Sequence, residues 1–257
     1  MNELTLGHDL LLLLFATGML AGGLDAVAGG GGLLTLPVLL AVGLAPAEAL
    51  ATNKLQGAFG TFSSSLYFIR HGLLDPRSLL LPIALTFTGS AAGTLLVQQL
   101  DSAFLTRIMP LFLILTALYF WFGPVIREEE KKQYIGQSLF AVTIGFTVGF
   151  YDGFFGPGAG TFFTLGFVML LGFSLIRATA HAKILNFTSN IASLLFFAAG
   201  GHVAWELGLV MAVGQLIGGR IGAHQVHRRG ARMIRPLIII VCILISLKLL
   251  FGSSLNS

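Results

Sequence analysis

Long apolar runs separated by short polar gaps fill nearly the whole chain, near residues 10–28, 32–43, 47–70, 78–99, 103–123, 134–153, 159–172, 178–200, 204–223 and 233–251. A helix needs about 20 residues to cross the hydrocarbon of a bilayer, so most of these runs predict spanning helices. Two of them, 32–43 and 159–172, are too short to span comfortably. Each short run follows an aspartate set just ahead of glycines: Asp25 before Gly29-Gly30-Gly31-Gly32, and Asp152 before Gly153, Gly156, Gly158 and Gly160. A carboxylate in hydrocarbon is costly, and glycine loosens a helix where lipid tolerates no open backbone. Finding both together, twice, predicts broken or re-entrant helices lining a polar cavity inside the bundle.

The two halves match beyond the aspartates. Ala51-Thr52-Asn53-Lys54 falls opposite Ala180-His181-Ala182-Lys183, Gly89-xxx-Gly93 opposite Gly218-xxx-Gly222, and Pro110 opposite Pro236, with offsets held between 126 and 129 residues. The dense charge run Arg127-Glu128-Glu129-Glu130-Lys131-Lys132-Gln133 lies between them as a solvated linker. Five segments per half is an odd number, so the second half enters the membrane from the opposite side. The expected architecture is therefore an all-α, polytopic membrane helix bundle of two inverted five-segment repeats. Residues 1–126 form the first repeat, 127–133 the linker and 134–257 the second repeat. Basic residues gather after the third segment (Arg70, His71, Arg77), in the linker, and before the last segment (His224, His227, Arg228, Arg229, Arg232, Arg235). The positive-inside rule makes these loops cytoplasmic and puts both termini on the periplasmic or exterior side.

Composition agrees with the pattern: 55% of residues are hydrophobic, 10% are charged and the mean hydropathy is +0.88. Soluble domains carry about 25% charged residues, so a soluble fold is excluded. The net charge of +4 resides in residues flanking apolar runs, not in an aromatic-interleaved basic patch, which argues against nucleic acid. The lone Cys242 sits in an apolar run and permits no internal disulfide. No Lys or Arg precedes the first run, so Leu10 onward is expected to stay as the first helix rather than leave as a secretory signal.

Asp25 and Asp152 are candidate proton- or cation-coupling carboxylates, or gate partners for a lysine. The competing reading is a helix-terminal aspartate that caps the following segment. Lys54 and Lys183 each lie near the start of a long apolar run and either attract an anion or simply snorkel to the interface. Asn186 and Asn190 follow Lys183 by three and seven residues on one helix face, as Gly57 and Thr61 follow Lys54. Such a stripe must look into the bundle, for function or for interhelical hydrogen bonding. His181 is a candidate proton relay or a hydrogen-bond partner of a neighbouring helix. It has no second ligand at metal spacing, and neither a metal nor another cofactor is expected. The small-xxx-small patterns predict close helix packing, Arg220 an interfacial anchor and Gln215 a residue facing the cavity. The glycine runs lack a following Gly-Lys-Ser/Thr and are no phosphate loop; their amides and the short-helix N-termini offer partial positive charge to an anion.

The stretches Asp25 to Gly32, Ala49-Leu50-Ala51-Thr52-Asn53-Lys54, Gly149-Phe150-Tyr151-Asp152-Gly153-Phe154-Phe155-Gly156-Pro157 and Ala178-Thr179-Ala180-His181-Ala182-Lys183 resemble the TauE/SafE sulfite-exporter family of bacterial inner-membrane proteins. The resemblance covers nearly the whole chain. It implies transport of sulfite, sulfoacetate, taurine-related sulfonates or other small organic anions. Together these readings predict a secondary transporter, not an enzyme, that exports a small anion with proton coupling. Lys54, Lys183, Asn53, Asn186, Asn190 and the amides around Gly31 and Gly158 would hold the anion near the midplane. Asp25 and Asp152, with His181, would couple or gate its movement. A passive anion channel needs the same cavity without a coupling carboxylate and stays open as the alternative. An intramembrane enzyme lacks a nucleophile pair or metal cluster, and a purely structural protein has little use for two buried acids.

Overall fold

The computed structural model describes residues 7–122 and 132–229. The expected tenth segment, Cys242, Arg232, Arg235 and most of the charged linker lie outside the described residues. Every regular element among those described is helical. In chain order they are α1 (His8–Ala28), α2 (Gly31–Ala41), α3 (Pro46–Arg70), a 3-10 turn (Pro76–Leu79) running into α4 (Leu80–Val97), and α5 (Ser102–Phe122). Then come α6 (Gln137–Phe140), a π-helical stretch (Ala141–Phe146), α7 (Thr147–Phe154), α8 (Ala159–Leu170), α9 (Leu175–Ala199) and α10 (Trp205–Arg229). Three spans, His8–Ala28, Pro76–Val97 and Leu175–Ala199, are long and apolar enough on their own to cross a membrane. α3 and α10 are equally long, but Glu48, Lys54 and Gln56 on one and Glu206, Gln215 and Arg220 on the other lower their apolarity.

Both expected helix breaks occur where the glycines stand. α1 stops at Gly29, whose φ of 73° is left-handed and whose N–H closes on the Asp25 carbonyl. α7 ends ahead of Gly156 and Gly158, with φ of 102° and 85°, positions that a side chain would strain. The helices that follow, α2 and α8, have 11 and 12 residues and reach only about 16–18 Å, roughly half the bilayer hydrocarbon. α3 starts with Pro46 in its first turn and the Glu48 carboxylate accepting from the Ala45 N–H at 3.2 Å. The π-helical stretch was not anticipated from the sequence.

Lipid-type side chains point outward and polar ones inward. Leu12, Leu20, Leu80, Leu111, Ile114, Val142, Leu195, Val213 and Ile221 are exposed, while Lys54, Lys183, Asn53, Asn186, Asn190 and many serines and threonines are buried. Two apolar cores flank this polar middle. One gathers Ala26, Tyr67, Phe68, Leu79, Phe140, Phe163, Phe167, Leu175 and Val226. The other gathers Leu14, Leu36, Leu50, Val97, Met109, Phe155, Phe197 and Met211. α1, α3 and α10 run from the second core to the first; α7 with its preceding turns, α4 and α9 run from the first to the second. α2 turns back into the second core, and α8 into the first.

The small-xxx-small expectation holds, and the glycines join the two halves. α1 packs mainly on α10, and α4 on α7. A Cβ placed on Gly218 would lie 1.9 Å from the Met19 carbonyl oxygen, and one on Gly93 would lie 2.1 Å from that of Phe150. Only hydrogen fits at either contact. Gly218→Ala is therefore expected to lower stability by about 1–3 kcal/mol through overpacking. Gly7→Ala, which would meet nothing within 4 Å, is the neutral control. Paired thermal unfolding in one detergent checks this, and equal midpoints would refute the contact.

Candidate functional site

Between the two apolar cores, α3 and α9 pack against each other and bring their polar stripes together. Each buried lysine reaches an aspartate in the other half of the chain. Lys54 Nζ donates to Asp152 Oδ1 at 2.5 Å, with side-chain exposures of 1% and 2%. Lys183 Nζ donates to Asp25 Oδ2 at 3.2 Å, with exposures of 1% and 14%, and also to the backbone carbonyl of Asp25. Burying four charges is tolerable only because each is paired and further hydrogen-bonded. Asp152 Oδ2 also accepts from Asn186 Nδ2 at 3.2 Å. The Gly31 N–H approaches Asp25 Oδ1 at 3.5 Å, so Asp25 serves the first turn of α2 as well as a lysine. The contact with the first turn of α2 fits the capping reading, and the lysine beside the same side chain is the partner that the gating reading would need.

A cavity of about 340 Å³, its open mouth included, lies beside these pairs. Its wall comprises Asp25, Asp152, Asn53, Gln56, Asn186, Asn190, Gln215 and glycines 29, 31, 32, 57 and 156. The room within it for the centres of water-sized occupants is about 30 Å³, enough for two or three waters or one small ion. Both lysine heads stand behind this wall. A Cβ on Gly156 would come within 3.0 Å of Lys54 Nζ, and one on Gly160 within 3.3 Å of Lys183 Nζ. The glycines let the ammonium groups approach the helix breaks. The amino-terminal residues of α2, Gly31 and Gly32, face the space directly and add the partial positive charge of a helix start.

Asn53, Asn186, Asn190, Gly31, Asp25 and Asp152 are gathered around the cavity, and Gln215 joins them as anticipated. Gly158 starts α8, and its carbonyl accepts from the Thr161 and Phe162 N–H groups; its neighbour Gly156 supplies the wall instead. His181 faces elsewhere. Its Nδ1 pairs with the Arg177 carbonyl at 2.8 Å, and its ring packs edge-on to Phe167 and Phe173 at 5.5 and 5.0 Å. Arg220 is exposed, as an interfacial anchor would be. Gln56 was missed, although its place three residues after Asn53 puts it on the same face of α3. Among the described residues no cluster of three His, Cys, Asp or Glu side chains has metal-binding geometry.

The family model described as sulfite exporter TauE/SafE matches residues 14–249, which takes in every element of this site. The chain belongs to that family. A probable membrane transporter protein of Escherichia coli strain K12, YfcA, is 50% identical over 98% of this chain and 94% of its own length. A probable membrane transporter protein of Haemophilus influenzae is 44% identical, covering 96% of each chain. No solved structure matches the chain. As a TauE/SafE member with apolar outward faces, the protein is a membrane transporter.

Proposed function

We propose that this TauE/SafE protein is a secondary transporter that exports a small sulfur-containing or organic anion, of the sulfite or sulfonate class, with proton coupling. The observation that carries the reading is the reciprocal pairing of Lys54 with Asp152 and Lys183 with Asp25 beside one small polar cavity. Each carboxylate occupies a position that an anion could take against the same ammonium. When an anion arrives and an aspartate accepts a proton, the lysine exchanges one negative partner for another and the net charge of the chamber is unchanged. Keeping that charge constant avoids the large cost of an unpaired ion in a low-dielectric interior. The small cavity and the helix start at Gly31 suit a compact oxyanion.

The same reading takes residues 1–126 and 134–257 as inverted repeats joined by the linker 127–133 in a multi-pass inner-membrane protein. The opposite running senses of matched helices support it: α1 against α7, α3 against α9 and α10 against α4. So does the charge at the two ends. Arg70, Arg77, Arg177 and Arg228 lie toward the Phe140 core, with Asp75 the one acid among them, whereas Asp9, Glu48, Asp101 and Glu206 lie toward the Leu14 core with a single arginine, Arg107, among the described residues. The positive-inside rule then makes the Phe140 side cytoplasmic, the Leu14 side exterior and both termini exterior. α2 and α8 become the return arms of two re-entrant hairpins that meet at the chamber.

Purified protein in liposomes with radiolabelled sulfite tests the function. Saturable flux that rises when a pH gradient is imposed is the expected result, as is a higher unfolding midpoint in sulfite. A ligand at one hundred times its Kd stabilises the folded state by about 2.7 kcal/mol. Flux indifferent to the gradient would replace coupled transport with a passive anion channel. Absence of both flux and stabilisation would remove sulfite from the substrate class.

A further inference from the structure

The amides around the chamber form a one-way series. Gln215 Nε2 donates to Gln56 Oε1, and Gln56 Nε2 donates to Asn53 Oδ1 at 2.7 Å and to Thr35 Oγ1 at 3.0 Å. The Thr35 hydroxyl also donates to Asn53 Oδ1, at 2.6 Å. Two donors thus converge on the Asn53 carbonyl oxygen, and the network assigns its amide: Oδ1 is fully occupied and Nδ2 points the other way. A Cβ on Gly32 would lie 3.5 Å from that Nδ2, which has no hydrogen-bond partner among the described residues. Asn53 and Gly32 both line the cavity. Two N–H donors are therefore presented to the open space, held there by Thr35 and by Gln56, which also lines the cavity but spends its amide within the series: Nε2 on Asn53 and Thr35, Oε1 on Gln215.

The series has no copy in the other half. Aligning Lys54 with Lys183 sets Asn53 opposite Ala182, Gln56 opposite Leu185, and Gln215 opposite Thr86. Leu185 and Ala182 are buried in the apolar core on their side. Interhelical packing that served both halves alike would use like residues at matched places.

We infer that Gln56 and Gln215 are positioning residues that fix Asn53 as a two-hydrogen donor to one face of the bound anion, making the otherwise pseudo-symmetric chamber read its substrate from the α3 side. The inference rests on the chamber being an anion site. Without Gln56 the Asn53 amide is free to turn its carbonyl oxygen toward the anion, exchanging attraction for repulsion. Gln56→Met keeps the length of the side chain, and Gln56→Leu installs the residue found at the matched position.

Sulfite uptake into liposomes, measured as KM and maximal rate with unfolding midpoints as the folding control, tests it through a double-mutant cycle. Gln56→Met and Asn53→Ala are each expected to raise KM about tenfold, worth about 1.4 kcal/mol, with little change in maximal rate. In the Asn53→Ala background Gln56→Met should then add nothing, because Gln56 acts only through Asn53. Gln56→Leu gives the same comparison should the Met variant fold poorly. Multiplying effects, or a fall in maximal rate at unchanged KM, would overturn the positioning role while leaving the anion site standing. Wild-type protein without saturable sulfite flux would instead overturn the underlying reading.

Discussion

Lys54→Met is expected to abolish transport and to destabilise the fold by about 3–5 kcal/mol, the usual consequence of stripping one partner from a buried ion pair. Asp152 is left with 2% exposure and neutral partners, the Asn186 amide and the Ser189 hydroxyl, in place of its cation. Adding Asp152→Leu to Lys54→Met should restore much of the stability, because replacing a whole buried pair with apolar groups is often neutral or better. Recovery should stop short of wild type, since Asn186 Nδ2 then loses its acceptor at a cost of about 1–3 kcal/mol. Transport must stay absent in the double variant, for it has no Lys54 ammonium to offer an anion. Unfolding midpoints and sulfite flux, measured on one set of preparations, separate the two effects. A stable, inactive double variant assigns the pair to function. A double variant that recovers transport along with stability would make Lys54–Asp152 a structural clasp and remove it from the mechanism.

That pair was only half legible in the chain. Helix breaks at Gly29 and Gly156 could be anticipated because glycine beside an aspartate in an apolar run has few other uses in a membrane. The short arms α2 and α8 were visible for the same reason: their length is a local property. Which lysine meets which aspartate was not visible, since Lys54 and Asp152 are 98 positions apart and join only when α3, which carries the lysine, and α7, which carries the aspartate, both pack against α9. Gln56 was overlooked because its neighbours Leu55 and Gly57 continue an ordinary apolar helix, and its value comes from Gln215 on α10. His181 shows the reverse error of weight. An imidazole close to the lysine of a polar stripe looks chemical, yet the two residue steps from Lys183 to His181 turn about 200° around a helix, enough to set His181 between Phe167 and Phe173. The overall halves show through because small residues, acids and lysines repeat in register. The amide series does not, because it is where the register is broken.

The two aspartates, equivalent in sequence, should behave differently when neutralised. Asp25→Asn is expected to fold with a midpoint close to wild type and to carry sulfite at a rate that no longer responds to a pH gradient. Asp152→Asn is expected to lose at least about tenfold in flux, equivalent to about 1.4 kcal/mol, and to unfold earlier. The difference lies in what each lysine keeps. Without the Asp25 charge, Lys183 still donates to the Asp25 backbone carbonyl, at the carbonyl end of α1 where the helix dipole favours a cation. Without the Asp152 charge, Lys54 loses its one ion-pair partner among the described residues while its side chain is 1% exposed. Asp25 also faces the cavity with 14% of its side chain open, whereas Asp152 is held from two sides by Lys54 and Asn186. A carboxylate that exchanges a proton during each cycle must be reached by water and must leave its lysine supported when neutral; Asp25 meets both conditions. Flux measured at a series of imposed pH gradients for the two variants decides the assignment. A gradient response that survives in Asp25→Asn but vanishes in Asp152→Asn would reverse the roles. A response that survives in both would take proton coupling away from this pair of acids altogether.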